Sequence, residues 1–151
     1  EYDAQDAGIS TGLTLGKITP GVSNMALQDL IVRTDSGQYD ITISQDHDLQ
    51  SGGDTIAGVS GSIASPTAWN EGTTTGLGLT LISGPNLDGK WSAGANYAAI
   101  PGSSTSLYTR SSHASSDTID VIASRLRLDV PGAQAEGIYG NIVTYTATAI
   151  P

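Results

Sequence analysis

The sequence predicts an all-β fold, an immunoglobulin-like β-sandwich of about seven to nine strands. Three observations carry this. Nineteen glycines, with serine and threonine at roughly a quarter of the 151 residues, make a poor helix former. Several stretches alternate apolar and polar residues with a period of two, as a half-buried strand requires. Clusters of Gly, Asn, Asp, Ser and Pro separate those stretches. The length suffices for one domain with a genuine core. No internal repeat or long linker divides it, so the chain reads as an N-terminal extension over residues 1–7 and a single domain over 8–151.

The elements follow in order. "GISTGLTLGKITPG" places Ile9, Thr11, Leu13 and Leu15 on one face and Ser10, Gly12, Thr14 and Gly16 on the other. It reads as a strand stopped by Pro20-Gly21. "LQDLIVRTDSGQYDITIS" gives two strands joined at Ser36-Gly37 by a hairpin-type turn. Leu30 and Val32 point inward from the first, Tyr39, Ile41 and Ile43 from the second. "QDHDLQSGGD" reads as a polar loop and "TIAGVSGSI" as a short strand kinked at its glycines. Trp69 anchors the loop "SPTAWNEGTTTG". "LGLTLIS" alternates Leu77, Leu79 and Leu81. "GPNLDGKW" is a turn leading to Trp91, and Tyr97, Ile100, Leu107 and Tyr108 add partial core.

"DTIDVIASRLRLDV" is the longest alternating run. Its inward set shifts from Ile119 and Val121 to Leu126, Leu128 and Val130, which predicts a β-bulge near Ala123-Ser124. "GIYGNIVTYTATAIP" closes the chain as one long strand. Tyr139, Val143 and Tyr145 face the core, with Ile138, Ile142, Thr144, Thr146 and Thr148 on the other side.

Charge excludes some partners. A net charge of −9 and a pI near 4.2 argue against nucleic acid, whose phosphates need Lys and Arg clusters. They also disfavour anionic membrane surfaces. No apolar run approaches the roughly 20 residues of a bilayer span. With no cysteine, disulfides and thiolate metal sites are excluded. The chain opens on Glu1 rather than Met, which implies a removed leader or a trimmed start. None of Asn24, Asn70, Asn86, Asn96 and Asn141 begins an N-x-S/T sequon.

Candidate chemistry is sparse. Asp46, Asp48 and Asp54 alternate in a Gly-rich loop, as a hard cation such as Ca²⁺ prefers. The EF-hand pattern fails, with Ser51 in place of its glycine and Ala57 in place of its bidentate Glu, and a solvated acidic turn is the stronger reading. "SSHASSD" brings Ser112, His113 and Asp117 together in sequence, but triads are assembled in space and need an oxyanion hole. No G-x-S-x-G occurs, since "GVSGS" brings its second glycine one place early. His47 is the only other histidine. Trp69, Trp91, Tyr97 and Tyr108 would make a sugar-stacking platform if exposed. In a chain without Phe they are also the aromatic core, and that reading is favoured.

Three motifs resemble a group of bacterial surface proteins: the spore coat U and archaic chaperone–usher pilin proteins and the WxL-type cell-surface proteins. "LTLGKITPG" resembles their first strand and turn, through Leu15, Gly16, Ile18, Pro20 and Gly21. "VRTDSGQYDITIS" resembles the hairpin that follows, through Thr34, Gly37, Tyr39, Ile41 and Ile43. "GAQAEGIYGNIVTYTATAIP" resembles the closing strand, through Gly137, Tyr139, Val143, Tyr145 and Ala147. The match covers the two ends, under half of the chain. The paired cysteines usual in spore coat U proteins are absent, and Trp69 and Trp91 lead "WNE" and "WSA" rather than a W-x-L motif. The resemblance implies a structural or adhesive subunit at the cell surface, not an enzyme.

The expected function is thus a secreted, pilin-like subunit of an extracellular filament or surface layer. Copies would join by strand addition, without a cofactor. "EYDAQDAGISTGLTL" is the expected donor, with Tyr2 and Ala4 filling pockets, followed by Ile9, Leu13 and Leu15. The expected acceptor edge runs over Tyr139, Ile142, Val143, Tyr145 and Ala147. The alternative is a module binding surface glycans or cell wall, which needs an exposed aromatic patch and loses its main support if Trp69 and Trp91 are both buried.

Overall fold

Period-two alternation becomes strand where one face finds a core. The computed structural model describes residues 12–112 and 119–150. In β1 (Asn24–Arg33), Ala26, Gln28, Leu30 and Val32 face inward, and Met25, Leu27, Ile31 and Arg33 face out. β2 (Gln38–Gln45) buries Tyr39, Ile41 and Ile43. β3 (Leu49–Ser51) and β4 (Asp54–Ile56) form a small hairpin. β5 (Thr67–Ala68), β6 (Gly76–Ser83), a 3₁₀ turn at Gly89–Gly94 and β7 (Asn96–Tyr97) follow. β8 (Thr105–Arg110), β9 (Ile119–Asp129) and β10 (Val143–Ile150) complete the described chain.

The fold is all-β, in four antiparallel sheets. A first sheet has the order β1-β9-β6 and a second β10-β2-β8. Side chains of both meet in one core: Tyr39, Ile41 and Ile43 from β2, Leu77, Leu79 and Leu81 from β6, Ile122, Leu126 and Leu128 from β9. β6 is buried on both faces. Its outer side is covered by Tyr97 beside Gly78 and by Gly94 against Ile82.

The structure corrects the sequence reading in four places. Residues 12–18 form no strand; only Thr19 and Val22 pair, around Pro20 and a Gly21 at φ +79°. β1 and β2 form no hairpin. They lie in different sheets, so that their apolar faces oppose each other across the core rather than lying side by side. β9 carries no bulge: it pairs with β1 without interruption from Asn24–Leu128 to Arg33–Ile119. Its inward residues are Asp120, Ile122, Ser124, Leu126 and Leu128, while Ile119 and Val121 are exposed. The irregularity lies on β6, between Leu81 and Ser83. Finally, the closing strand starts only at Val143, and the "polar loop" after Gln45 contains β3 and the start of β4.

The β9 error has a physical cause, because polar residues occupy core positions there. Asp120 accepts hydrogen bonds from the Tyr39 hydroxyl at 2.8 Å and from Arg110 Nε at 3.0 Å. Ser124 Oγ donates to the Gln28 carbonyl at 2.9 Å. A buried carboxylate is tolerable only with such partners. The Asp120 cluster ties β9 of one sheet to β2 and β8 of the other, and burial together with Asp120 pushes the Tyr39 phenol far above its ordinary range. Asp120→Ala would leave the Arg110 guanidinium with Asn86 Oδ1 but without its carboxylate, and the Tyr39 hydroxyl without that acceptor; it is expected to destabilise the fold by about 3 kcal/mol. Tyr39→Phe is expected to cost about 2 kcal/mol. Urea denaturation midpoints of the two variants check both values.

Candidate functional site: an open groove between two strand edges

The two sheets end on the same flank, the first at β1 and the second at β10. Among the described residues, each of these strands pairs on one edge only. Between them runs a groove of about 1550 Å³. Its floor is apolar core: Ile41, Leu49, Ile56, Leu77, Leu126 and Leu128. Residues 12–20 and 28–32 form one wall, and residues 132–147 the other.

The second wall follows from β10. Val143, Tyr145 and Ala147 lie beside Gln45, Ile43 and Ile41 of β2 and so share the inward face. Val143 and Tyr145 are half-buried against the core, while the small Ala147 stays exposed on the groove. The preceding stretch is held by point contacts instead of a ladder. Gly140 and Gln50 exchange backbone bonds at 3.1 Å. Asn141 Nδ2 donates to Gln45 Oε1 at 2.8 Å. The Tyr139 hydroxyl donates to the Ala135 carbonyl at 2.8 Å. Ile138 is 95 % exposed and Ile142 67 % exposed, both on the rim.

The first wall is the N-terminal arm. Leu15 and Ile18 pack against the core from above, and Leu13 is exposed. Asn24 Nδ2 donates to the carbonyls of Leu15 (2.7 Å) and Lys17 (3.0 Å). Gly16, at φ +70°, lets these two carbonyls converge on one amide. Below the turn, the Gly21 N–H donates to Asp129 Oδ1 at 2.9 Å. Asn24 and Asp129 were invisible to sequence reasoning, because a polar residue at a strand end carries no periodic signal.

Of the expected donor residues, Leu13 and Leu15 therefore lie on the chain's own groove, while Tyr2, Ala4 and Ile9 fall outside the described residues. Tyr139, Ile142, Val143, Tyr145 and Ala147 all line the groove, on one wall. A second apolar surface was not foreseen. Met25, Leu27 and Ile31 of β1 and Ile119 and Val121 of β9 are exposed together on the outer face of the first sheet.

The other candidates have structural partners. Asp46 Oδ1 accepts from the backbone N–H of His47 (2.8 Å) and of Ile142 (2.9 Å). Asp48 Oδ1 accepts from Gln45 Nε2 at 2.9 Å, and Asp54 is exposed at the start of β4. No three His, Cys, Asp or Glu residues cluster among the described residues. His113 and Asp117 lie outside them, and Ser112 is exposed. Trp91, Tyr97 and Tyr108 are buried. Trp69 is half-buried, with the Arg127 guanidinium 4.7 Å from its ring centre and Tyr97 edge-on at 5.2 Å. Arg127 also pairs with Glu71. Among the described residues, these rings serve the core and its cover. No described helix is long and apolar enough to cross a membrane.

Compared with known proteins, the chain matches no family model, no curated protein and no solved structure.

Two pH effects follow from the groove wall. The hydrogen bond from Ile142 N–H, with that from His47, holds the Asp46 carboxyl below the usual carboxylate range. A lowered value means that this tie is intact above the ordinary carboxylate range and is lost as pH falls through the lowered one. The protection of the Ile142 amide from hydrogen exchange, taken relative to its intrinsic rate, should therefore fall only in acid. In the other direction, burial pushes the Tyr145 phenol up to about 12, and its hydroxyl has no hydrogen-bond partner among the described residues. The folded chain holds that proton more tightly than the unfolded one, so stability is full below pH about 10 and declines as pH rises through the folded value. Tyr145→Phe removes an unsatisfied hydroxyl and is expected to raise stability by about 1 kcal/mol. The variant should also show a shallower alkaline decline in urea midpoint than the parent.

Proposed function

We propose that the chain is a secreted structural subunit of an extracellular filament or surface layer, built on an immunoglobulin-like sandwich, whose copies join by β-strand addition. The observation that carries this reading is the groove: two strand edges, each paired on one side only among the described residues, flank an apolar floor. Such an arrangement is one strand short of closure. A strand entering from another copy would pair along β10 through main-chain hydrogen bonds, and its alternate side chains would point to the floor and fix its register.

The donor in this reading is the N-terminal segment of the next copy. Residues 1–11, fully extended, reach about 36 Å, against roughly 27 Å for a strand of eight residues such as β10. Tyr2 and Ala4 would fill pockets, with Ile9, Leu13 and Leu15 behind them. Because donor and acceptor are different surfaces, the contact is head-to-tail and propagates as a fibre. The exposed apolar face of β1 and β9 supports the same reading, since a chain working alone in water rarely shows one. The resemblance of the strand-and-turn motifs to surface pilin-like proteins points the same way.

Negative-stain microscopy of the purified protein over a range of salt and pH tests this. Filaments are expected; strictly monomeric particles under every condition would overturn the reading. Deletion of residues 1–7 should reduce polymerisation strongly, and undiminished polymerisation would remove Tyr2 and Ala4 from the mechanism. Ala147→Arg places a charge on the groove wall at an exposed position. It should abolish filaments while leaving the circular dichroism and thermal midpoint of the monomer unchanged.

A further inference from the structure

We infer that residues 12–18 are an exchangeable plug, and that Asn24 is the latch keeping it in its own groove until a second copy takes its place. The inference rests on the strand-addition reading and adds a regulator to it. The plug already occupies the acceptor: Leu15 and Ile18 pack on the core beneath, and residues 12–20 line the groove. Yet it occupies it without a ladder. Residues 12–18 belong to no strand, although β1 offers its outer edge.

Among the described contacts, the arm is tied by the packing of Leu15 and Ile18 on the core and by hydrogen bonds. One Asn24 amide group spans Leu15 and Lys17, and Asp129 fixes Gly21 at the base of the turn. The chain bends there between Thr19 and Val22. Opening the arm about this turn breaks both Asn24 bonds and lifts Leu15 and Ile18, but it disrupts no strand pairing of β1 with β9. Segments held in this way open at low free-energy cost. The occupant that replaces the plug is the N-terminal segment of another copy. A segment that fits its own groove fits the identical groove of its neighbour, as in a domain swap. Asn24 slows the exchange, because both of its bonds to the Leu15 and Lys17 carbonyls must break before the arm can leave.

Asn24→Asp tests the latch directly, because the side chain keeps its shape and loses its donor; Asn24→Ala is the companion. Lys17 is the only basic residue before Arg33, and its own carbonyl, at the bond trypsin cuts, is one that Asn24 holds. Limited trypsin digestion of the full folded chain should cut after Lys17 about tenfold faster in both variants than in the parent. In the same preparations, the lag before filaments should shorten several-fold. An unchanged cleavage rate in both variants would overturn the latch. Faster cleavage with an unchanged lag would show that the arm is held by Asn24 but does not restrain assembly, which also overturns the inference. If neither parent nor variants form filaments, the strand-addition reading fails, and the regulatory role fails with it; the cleavage rates then report only on the arm.

Discussion

The rest of the structure hangs on the contact between the two central strands, β2 and β9. Tyr39, Ile41 and Ile43 on one, with Ile122, Leu126 and Leu128 on the other, belong to the single core shared by both sheets. Each such side chain contributes about 1.5–3 kcal/mol when fully buried. Asp120 then pins the contact at one end, since a carboxylate that must meet both Tyr39 and Arg110 permits little sliding of one sheet over the other. On the β6 side the layers are finished: the 3₁₀ turn and β7 cover the outer face of β6, and Arg125 and Arg127 lie over the Tyr97 ring. On the β1 and β10 side they are not. The core strands β2 and β9 therefore supply the floor of the gap, through Ile41, Leu126 and Leu128, while β1 and β10 form its edges.

The two flanks differ in how they are held. Across the closed part, ladders run unbroken for ten residue pairs between β1 and β9 and eight between β10 and β2. Around the groove, the arm and the stretch before β10 are tied by isolated contacts at Asn24, Asp129, Asp46, Gln50 and Asn141. A ladder is lost cooperatively, whereas point contacts are lost one by one. Local opening should thus concentrate at the groove while the core stays intact. That separation is what an acceptor needs, for its floor must remain formed when its cover leaves.

Much of this was legible in the sequence, and the failures are instructive. The alternation in Tyr39-Asp40-Ile41-Thr42-Ile43 predicted the inner face of β2 because that strand packs on one side only. Leu77, Leu79 and Leu81 were placed correctly, but nothing in the pattern said that β6 is buried on both faces. In β9, hydrophobicity alone points to the wrong inward face. Asp120 and Ser124 occupy core positions with partners far away in sequence, so Ile119 and Val121 seemed the better inward residues. The turn at Ser36-Gly37 has hairpin residues yet spans two sheets, because turn chemistry fixes local geometry and not which sheet the next strand joins. Of the groove, the wall from Tyr139 to Ala147 was read from alternation. The latch at Asn24 could not be, since it depends on how the arm folds back over β1.

Charge sharpens the proposed assembly. Each copy carries a net charge of −9, so copies repel each other at long range, with a screening length of about 8 Å at physiological ionic strength. Attraction must therefore act at contact, through groups that do not depend on charge. A backbone ladder with apolar side chains entering a groove meets that requirement, and the groove floor holds no ionisable group among Ile41, Leu49, Ile56, Leu77, Leu126 and Leu128. Among the described residues, the acidic side chains stay on outward positions and loops, with the exceptions of Asp120 and Asp129, which are buried and accept hydrogen bonds within the chain. Repulsion then discourages indiscriminate clumping, while a strand in the right register still gains the full ladder. The same logic explains a plug in the free chain. In the proposed assembly, an apolar floor would need a cover until the strand of a second copy arrived, and the chain's own Leu15 and Ile18, which pack on the core, would be that cover.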